Sequence, residues 1–511
     1  MSALQWSLVL GYGTSLALLS LFALHRLSLA WAARRLLQEP PQPPPLPVDA
    51  KAWPRVLVQL PMYNEPAVAV RAIDHACRLS YPRDKLTIQV LDDSTDGSDA
   101  MARAAVARWA EDGVDVGFLH RSERVGFKAG ALAAGLASSD HELVAIFDAD
   151  FVPPTNFLRQ LVGHFQDPNV GMVQARWEHL NATASPFTRG QAILLDGHFI
   201  NEHGGRAASR CFFNFNGTAG IWRRACIDDA GGWSGATLTE DLDLSYRAQL
   251  RGWRFIYRPD VVVPAELPAT VGAFKTQQHR WAKGAVETAR ICLRNVWAAP
   301  LSWRQKWEAT AHLLGNATYP LVLFVALAMP WMVAIRQALP STGLVLALDA
   351  GVLFGATGSL LVAYGMACTG AGRSRHVWLY FPVVLALGIG LTINNLRALL
   401  EGLGGWRTEF VRTPKAGERV LPLTRPKQHK LGPSWQAAIE LFMAGYAFTA
   451  AAWAVEAGRL MAVPFAVLFG AGFLFLGGGG WPLQRQRGAD QSVSSVDTAR
   501  LREENLHPQQ S

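Results

Sequence analysis

Hydrophobic positions in this chain follow three rhythms. From Leu4 to Leu24 about 21 positions pass without a charged residue, enough for one crossing of a hydrocarbon core roughly 30 Å thick. From Val56 to about residue 290 the apolar runs are short and end in polar turns. Val56-Leu57-Val58-Gln59-Leu60, Leu86–Leu91 and Leu143–Phe147 have strand length, and helix-spaced patterns follow to about Leu79 and through Met101–Trp109. Strands alternating with helices predict βαβ units on a mostly parallel sheet with helices on both faces, an α/β fold. Beyond Trp281 long apolar runs return, at about 309–335, 342–368, 377–396, 436–455 and 460–481. The expected organisation is an anchor at 1–35 and a linker at 36–54, rich in proline from Pro40 to Pro54. An α/β domain at 55–290 comes next, then transmembrane and interface helices at 291–482, then a polar tail at 483–511.

Composition adds a compartment. Half of the 511 residues are hydrophobic, 17% are charged and 18 are Trp, and the apolar excess is concentrated rather than spread, which excludes an ordinary soluble protein. The first run lacks a basic leader and a small-residue cleavage site, and Arg26, Arg34 and Arg35 follow it. It therefore reads as a retained anchor entering the cytoplasm, and the chain as a multi-pass protein of the cell (inner) membrane. A net charge of +8 suits cytoplasmic loops beside anionic membrane lipid. No basic run interleaves with aromatics, so no nucleic-acid partner is expected. The five cysteines, at 77, 211, 226, 292 and 368, show neither metal-ligand spacing nor a disulfide framework.

Candidate chemistry gathers at the strand ends, where open α/β sheets bind ligands. Tyr63-Asn64-Glu65 ends the first strand, Asp92-Asp93 the second, and Asp148-Ala149-Asp150 a later one. Two carboxylates one residue apart can share a hard cation, Mg²⁺ or Mn²⁺, that also takes diphosphate oxygens; as a bare turn they would do nothing. Asp93-Ser94 could instead cap a following helix. Lys128, in Gly126-Phe127-Lys128-Ala129-Gly130, is either a surface lysine or a phosphate ligand at a helix start. Thr239-Glu240-Asp241 opens a helical run, as caps or with Asp241 as a general base for a hydroxyl. Gln277-Gln278-His279-Arg280-Trp281 offers an indole face and forked donors to a sugar, or to lipid headgroups.

Together these motifs resemble the processive, membrane-embedded family 2 glycosyltransferases. The chain is most similar to bacterial cellulose synthase catalytic subunits and plant cellulose-synthase-like mannan and glucomannan synthases. Val58–Glu65, Gln89–Asp96, Phe147–Phe151, Val173–Trp177, Phe215–Gly220 and Gln277–Trp281 carry the likeness, dense over about 54–290 and looser to about 420. The resemblance implies a GT-A fold, with Tyr63, Glu65 and Asp93 in the nucleoside pocket and Lys128 near the diphosphate. It implies that Asp148 and Asp150 hold nucleotide and metal and that Asp241 is the base. Asn216, Gly217, Thr218 and Glu240 would sit by the acceptor, Gln277 and Arg280 on the donor diphosphate, and Trp281 on the acceptor sugar. Phe410-Val411-Arg412-Thr413-Pro414-Lys415 resembles a gating loop (Phe410, Thr413, Lys415), with Arg412 in place of the usual Val. No cyclic-dinucleotide-binding barrel is expected in the roughly 30 residues after Trp481.

That loop must meet nucleotide sugar, which constrains topology. If all five later runs crossed, it would fall outside. The run from Val377 continues into amphipathic Asn394–Glu401, as an interface helix does. Laid on the cytoplasmic face, it places Arg373, Arg375, Arg412, Lys415, Arg485 and Arg487 inside and only Arg336, Glu456 and Arg459 outside. One span before the domain and about four after it are expected. Asp349 within a span would line a channel or bond a neighbouring helix.

The resulting expectation is an inverting transferase that adds hexose from a UDP-glucose or GDP-mannose type donor to a growing β-glycan acceptor and exports it. Partner subunits are not legible in the sequence. A ceramide-glucosyltransferase-like glycolipid synthase shares much of the motif set. A non-catalytic transporter or scaffold would not be expected to keep Asp93, Asp148, Asp150, Asp241 and Trp281 together.

Overall fold

The computed structural model describes residues 2–337, 351, 353–373, 375–406 and 435–479. Asp349 and the gating-like stretch at 410–415 lie outside these. Seven strands form one sheet: β1 (Val56–Met62), β2 (Leu86–Asp92), β3 (Val116–His120), β4 (Leu143–Ile146), β5 (Val170–His179), β6 (Gly220–Arg223) and β7 (Arg254–Ala265). Their order is β3-β2-β1-β4-β6-β5-β7. The first four are mutually parallel, β6 runs antiparallel to β4 and β5, and β5 pairs parallel with β7. The sheet is thus mostly parallel, as its strand–helix alternation predicts.

The central strands read as unbroken apolar runs because both faces are covered. In β4, Ala145 joins a core with Val58, Ile88, Ile73 and Phe157, while Val144 and Ile146 join another with Leu132, Trp222 and Leu244. Alternate residues of one strand therefore seal opposite layers. The parallel strands end at one edge, so the segments after Met62, Asp92 and Ile146 share one rim. The helix expected to open near Met101 starts at Ser98, and its cap is Gly97, at φ +83°. Asp93-Ser94 is not that cap. Asp92 turns inward instead, accepting from Ser94 Oγ at 2.7 Å and contacting His120 Nδ1 at 2.8 Å.

Among the described residues four helices are long and apolar enough to cross a membrane: Ala3–Gln38, Gly315–Ile335, Trp435–Glu456 and Leu460–Gly477. A fifth crossing arises only if Trp378–Gly390 and Thr392–Gly404, bent by 40°, count as one. Part of the 342–368 run lies outside the described residues; its end forms helix Ser359–Gly370. Thr392–Gly404 packs on the α/β domain rather than running on straight. The N-terminal helix is also docked there: a side chain at Gly205 would strike the Leu29 carbonyl, so only glycine permits that approach. Beside it Arg26 pairs with Glu202 at 3.3 Å, and Arg206 and His25 both pair with Glu308. All five cysteines are free and buried.

Candidate active site

Apart from Thr218, the sequence-derived candidates among the described residues line one pocket of about 200 Å³ at the sheet's carboxyl rim. Tyr63 and Glu65 come from the turn after β1, Asp93 from the residue that follows β2, and Asp148 and Asp150 from the segment after β4. The loop before β6 brings Asn216 and Gly217. Glu240 and Asp241 open helix Glu240–Leu250, and Gln277, Arg280 and Trp281 lie on helix Val271–Ala298. Thr218 lies behind the pocket wall: it is fully buried, and its Oγ1 accepts the backbone N–H of Asp148 at 2.9 Å, which fixes the aspartate turn.

Lys128 ties these segments together. Its Nζ donates to Asp148 Oδ1 at 2.6 Å and to the Gly217 carbonyl at 2.8 Å, with Glu240 Oε1 at 3.8 Å. Burial lowers its proton affinity, but Asp148 and Glu240 outweigh that and hold the ammonium above its ordinary range. Gly217 adopts φ +80°, and a Cβ there would lie 3.0 Å from Asp241 Oδ2. Glycine is required on both counts.

Asp241 stands apart chemically. Burial, then the neighbouring Glu240, push its carboxyl up to about 7, while Lys128 and a hydrogen bond from Leu242 N–H pull the other way. A carboxylate poised there exchanges protons at neutral pH, as a general base must. Thr239 makes no side-chain capping bond, and the first-turn N–H of Leu242 is taken by Asp241 Oδ1 at 2.8 Å instead. Burial lowers the Arg280 guanidinium, with Glu240, Asp148 and Asp241 partly offsetting it. Asp150 is almost wholly buried, and its Oδ2 accepts Glu266 N–H at 3.3 Å.

Among the described residues no group of three or more His, Cys, Asp or Glu could hold a metal. Two aspartates at the rim fit a hard cation that completes its shell with diphosphate oxygens and water, and do not fit an all-protein cage.

Trp281 faces Trp177, ring centroids 6.5 Å apart. Both edge a second cavity of about 1510 Å³ that also touches Asn216, Asp241 and Gln277. It runs between the apolar helices to Gly458–Met461, the turn before the last of them.

Sequence reasoning missed how helix Val271–Ala298 is held. Lys275, His279 and Lys283 repeat every four residues on a second face. Lys275 meets Glu440 at 2.7 Å, His279 meets Glu401 at 3.1 Å, and Lys283 donates to the Trp406 carbonyl at 2.6 Å. The spacing is visible in sequence; the partners, more than 100 residues away, are not. It also missed His198, on a π-helical segment at Gly197–His203, whose Nε2 lies 3.0 Å from Asn216 Oδ1.

A seven-stranded, mostly parallel sheet with an acidic pocket at the carboxyl ends of its strands is the architecture of the GT-A class of glycosyltransferases. Sequence comparison places the chain more closely. Residues 54–284 match the family described as "Glycosyltransferase like family 2". Glucomannan 4-beta-mannosyltransferase 2 of Arabidopsis thaliana is 49% identical over 243 residues, 47% of this chain and 46% of that protein. Glucomannan 4-beta-mannosyltransferase 1 of Oryza sativa subsp. japonica is 36% identical over 402 residues, 74% of this chain and 73% of that one. The chain belongs to glycosyltransferase family 2, and spans a little under half the length of the first relative. Among solved structures, a mannosyltransferase of Pyrobaculum calidifontis in complex with GDP-Man and Mn²⁺ matches over 71% of this chain and 98% of its own, with 24% identity and a TM-score of 0.49. At that level the likeness carries no chemistry across.

Proposed function

We propose that this chain is a membrane-embedded inverting hexosyltransferase that extends a β-glycan from a nucleoside-diphosphate sugar, mannose being the sugar its relatives' names favour. The observation that carries the reading is Asp241. It is a carboxylate raised to about 7 where the small rim pocket meets the long cavity, and it lines both. Asp241 takes the proton of an acceptor hydroxyl as that oxygen attacks the anomeric carbon. The bond to the diphosphate breaks on the opposite face, which turns an α-linked donor into a β-linked product. The departing nucleoside diphosphate keeps the electron pair, and Arg280, Gln277 and Lys128 face the charge that develops. A divalent cation at Asp148 and Asp150 would neutralise part of the same charge. Trp281 and Trp177 supply ring faces for the acceptor sugar. The α/β domain faces the cytoplasm, where nucleotide sugars are made, and the long cavity is the path by which product leaves.

One observation favours a second reading. The far part of the cavity is apolar, with Val322, Val325, Met329 and Phe469 among its walls, and would also suit the tail of a glycolipid acceptor. Membranes containing the protein, supplied with Mg²⁺ or Mn²⁺ and a panel of radiolabelled nucleotide sugars, decide between them. High-mass product that a β-glycanase digests supports the polymer, and label confined to an organic extract supports the glycolipid. No transfer from any donor overturns both.

A further inference from the structure

The rim pocket has two ends. Lys128, Asp148 and Arg280 mark the end for the diphosphate, which leaves Tyr63 and Asp93 at the end for the base. A third side chain stands there. The Arg124 guanidinium lies over the Tyr63 ring with its carbon 3.3 Å from the ring centroid, the thickness of one stacked plane. Its Nε is 3.8 Å from Asp93 Oδ2. Asp93 is already fixed by a fork from Arg121, Nε to Oδ1 at 2.8 Å and an Nη to Oδ2 at 2.6 Å. The turn beneath Arg124 is built rather than loose. Its carbonyl accepts Phe127 N–H at 2.9 Å, and Gly126 and Phe127 both take left-handed backbone, at φ +73° and +50°.

We propose that Arg124 reads the donor's nucleobase. This rests on the transferase reading above and adds a specificity-determining residue to it. A base that stacks on this face of Tyr63 must either enter between the ring and the guanidinium or lie on the guanidinium's outer plane. It touches Arg124 in both cases. Stacked in this way the guanidinium reads the area of the base's π face, and guanine's two fused rings offer more of it than uracil's single ring. Arg121 cannot replace it, because both of its bonds to Asp93 hold that carboxylate in position.

The test is nucleotide binding to the purified full-length protein in detergent with Mg²⁺, using GDP, UDP and inorganic pyrophosphate as probes. Arg124→Ala should weaken GDP by about tenfold or more, within the range for losing one stacking partner. UDP should weaken less, and pyrophosphate should be unchanged. Arg124→Lys keeps the charge but not the plane, and should behave like the alanine variant. Equal losses for GDP and pyrophosphate would make Arg124 a diphosphate ligand and overturn the proposal. So would full recovery in Arg124→Lys, or unchanged GDP binding in Arg124→Ala. A wild-type protein that binds none of the three probes would overturn the transferase reading itself, a different outcome from any in the variants.

Discussion

Replacing Asp241 by Asn separates its chemistry from its place in the fold. Asn keeps the shape and the hydrogen bond from Leu242 N–H but cannot take a proton, so transfer should fall by about 10² to 10⁴ while donor affinity holds. The wild type should lose turnover about tenfold for each pH unit below 7, since only ionised Asp241 can act as base. Stability should move the opposite way. The carboxyl rises from 3.8 to about 7 on folding, so the favourable neutral form is fully present below 3.8 and is lost as pH climbs through 7. At about 1.4 kcal/mol for each tenfold change in proton affinity, the cost at alkaline pH reaches about 4 kcal/mol, less whatever pocket water screens. Asp241→Asn removes it. The variant should therefore melt at or below the wild-type temperature at pH 4 and above it at pH 8, while turning over far more slowly. Thermal unfolding in detergent across pH 4–8, beside initial rates and nucleotide titrations on the same samples, measures all three. Parallel melting curves, or donor affinity falling as steeply as turnover, would refute the assignment.

Four further outcomes follow from the same geometry. Gly217→Ala sets a methyl 3.0 Å from Asp241 Oδ2 at φ +80° and should cut turnover at least about tenfold, the step of 1.4 kcal/mol that such strain reaches; wild-type rates would show that the loop gives way. Asp148→Asn, Asp150→Asn and excess chelator should each abolish transfer, and full activity in EDTA would end the metal-dependent mechanism. Trp281→Ala should stop elongation while nucleoside diphosphate is still released with water as acceptor, and normal polymer mass would contradict the stacking role. Glu440→Ala strands Lys275 beside a wholly buried position and should cost about 3–5 kcal/mol; a shift in unfolding free energy below about 1 kcal/mol would mean that solvent reaches the pair.

The local grammar of the chain was decided by its sequence. Apolar runs of strand length that end in polar turns have few ways to be buried, so β1, β2 and β4 and the rim they share could be read from the sequence, as could the helices long enough to cross a membrane. Asp148 and Asp150 were visible because carboxylates directly after an apolar run are costly unless something uses them, and Asp241 because it opens a helical run within Thr239-Glu240-Asp241. What sequence could not supply were relations between distant segments. That Thr218 turns inward to hold the Asp148 backbone while Gly217, its neighbour, yields space to Asp241 depends on which way one loop faces. The 40° bend between Trp378–Gly390 and Thr392–Gly404 and the pairing of Lys275 with Glu440 depend on helices meeting across more than 100 residues. Asp241's proton affinity, and the guanidinium of Arg124 lying on Tyr63, arise only once burial and neighbouring charge are set by packing. Periodicity is a property of neighbours along the chain, whereas dielectric, charge and stacking are properties of neighbours in space, and only the tertiary structure decides who those are.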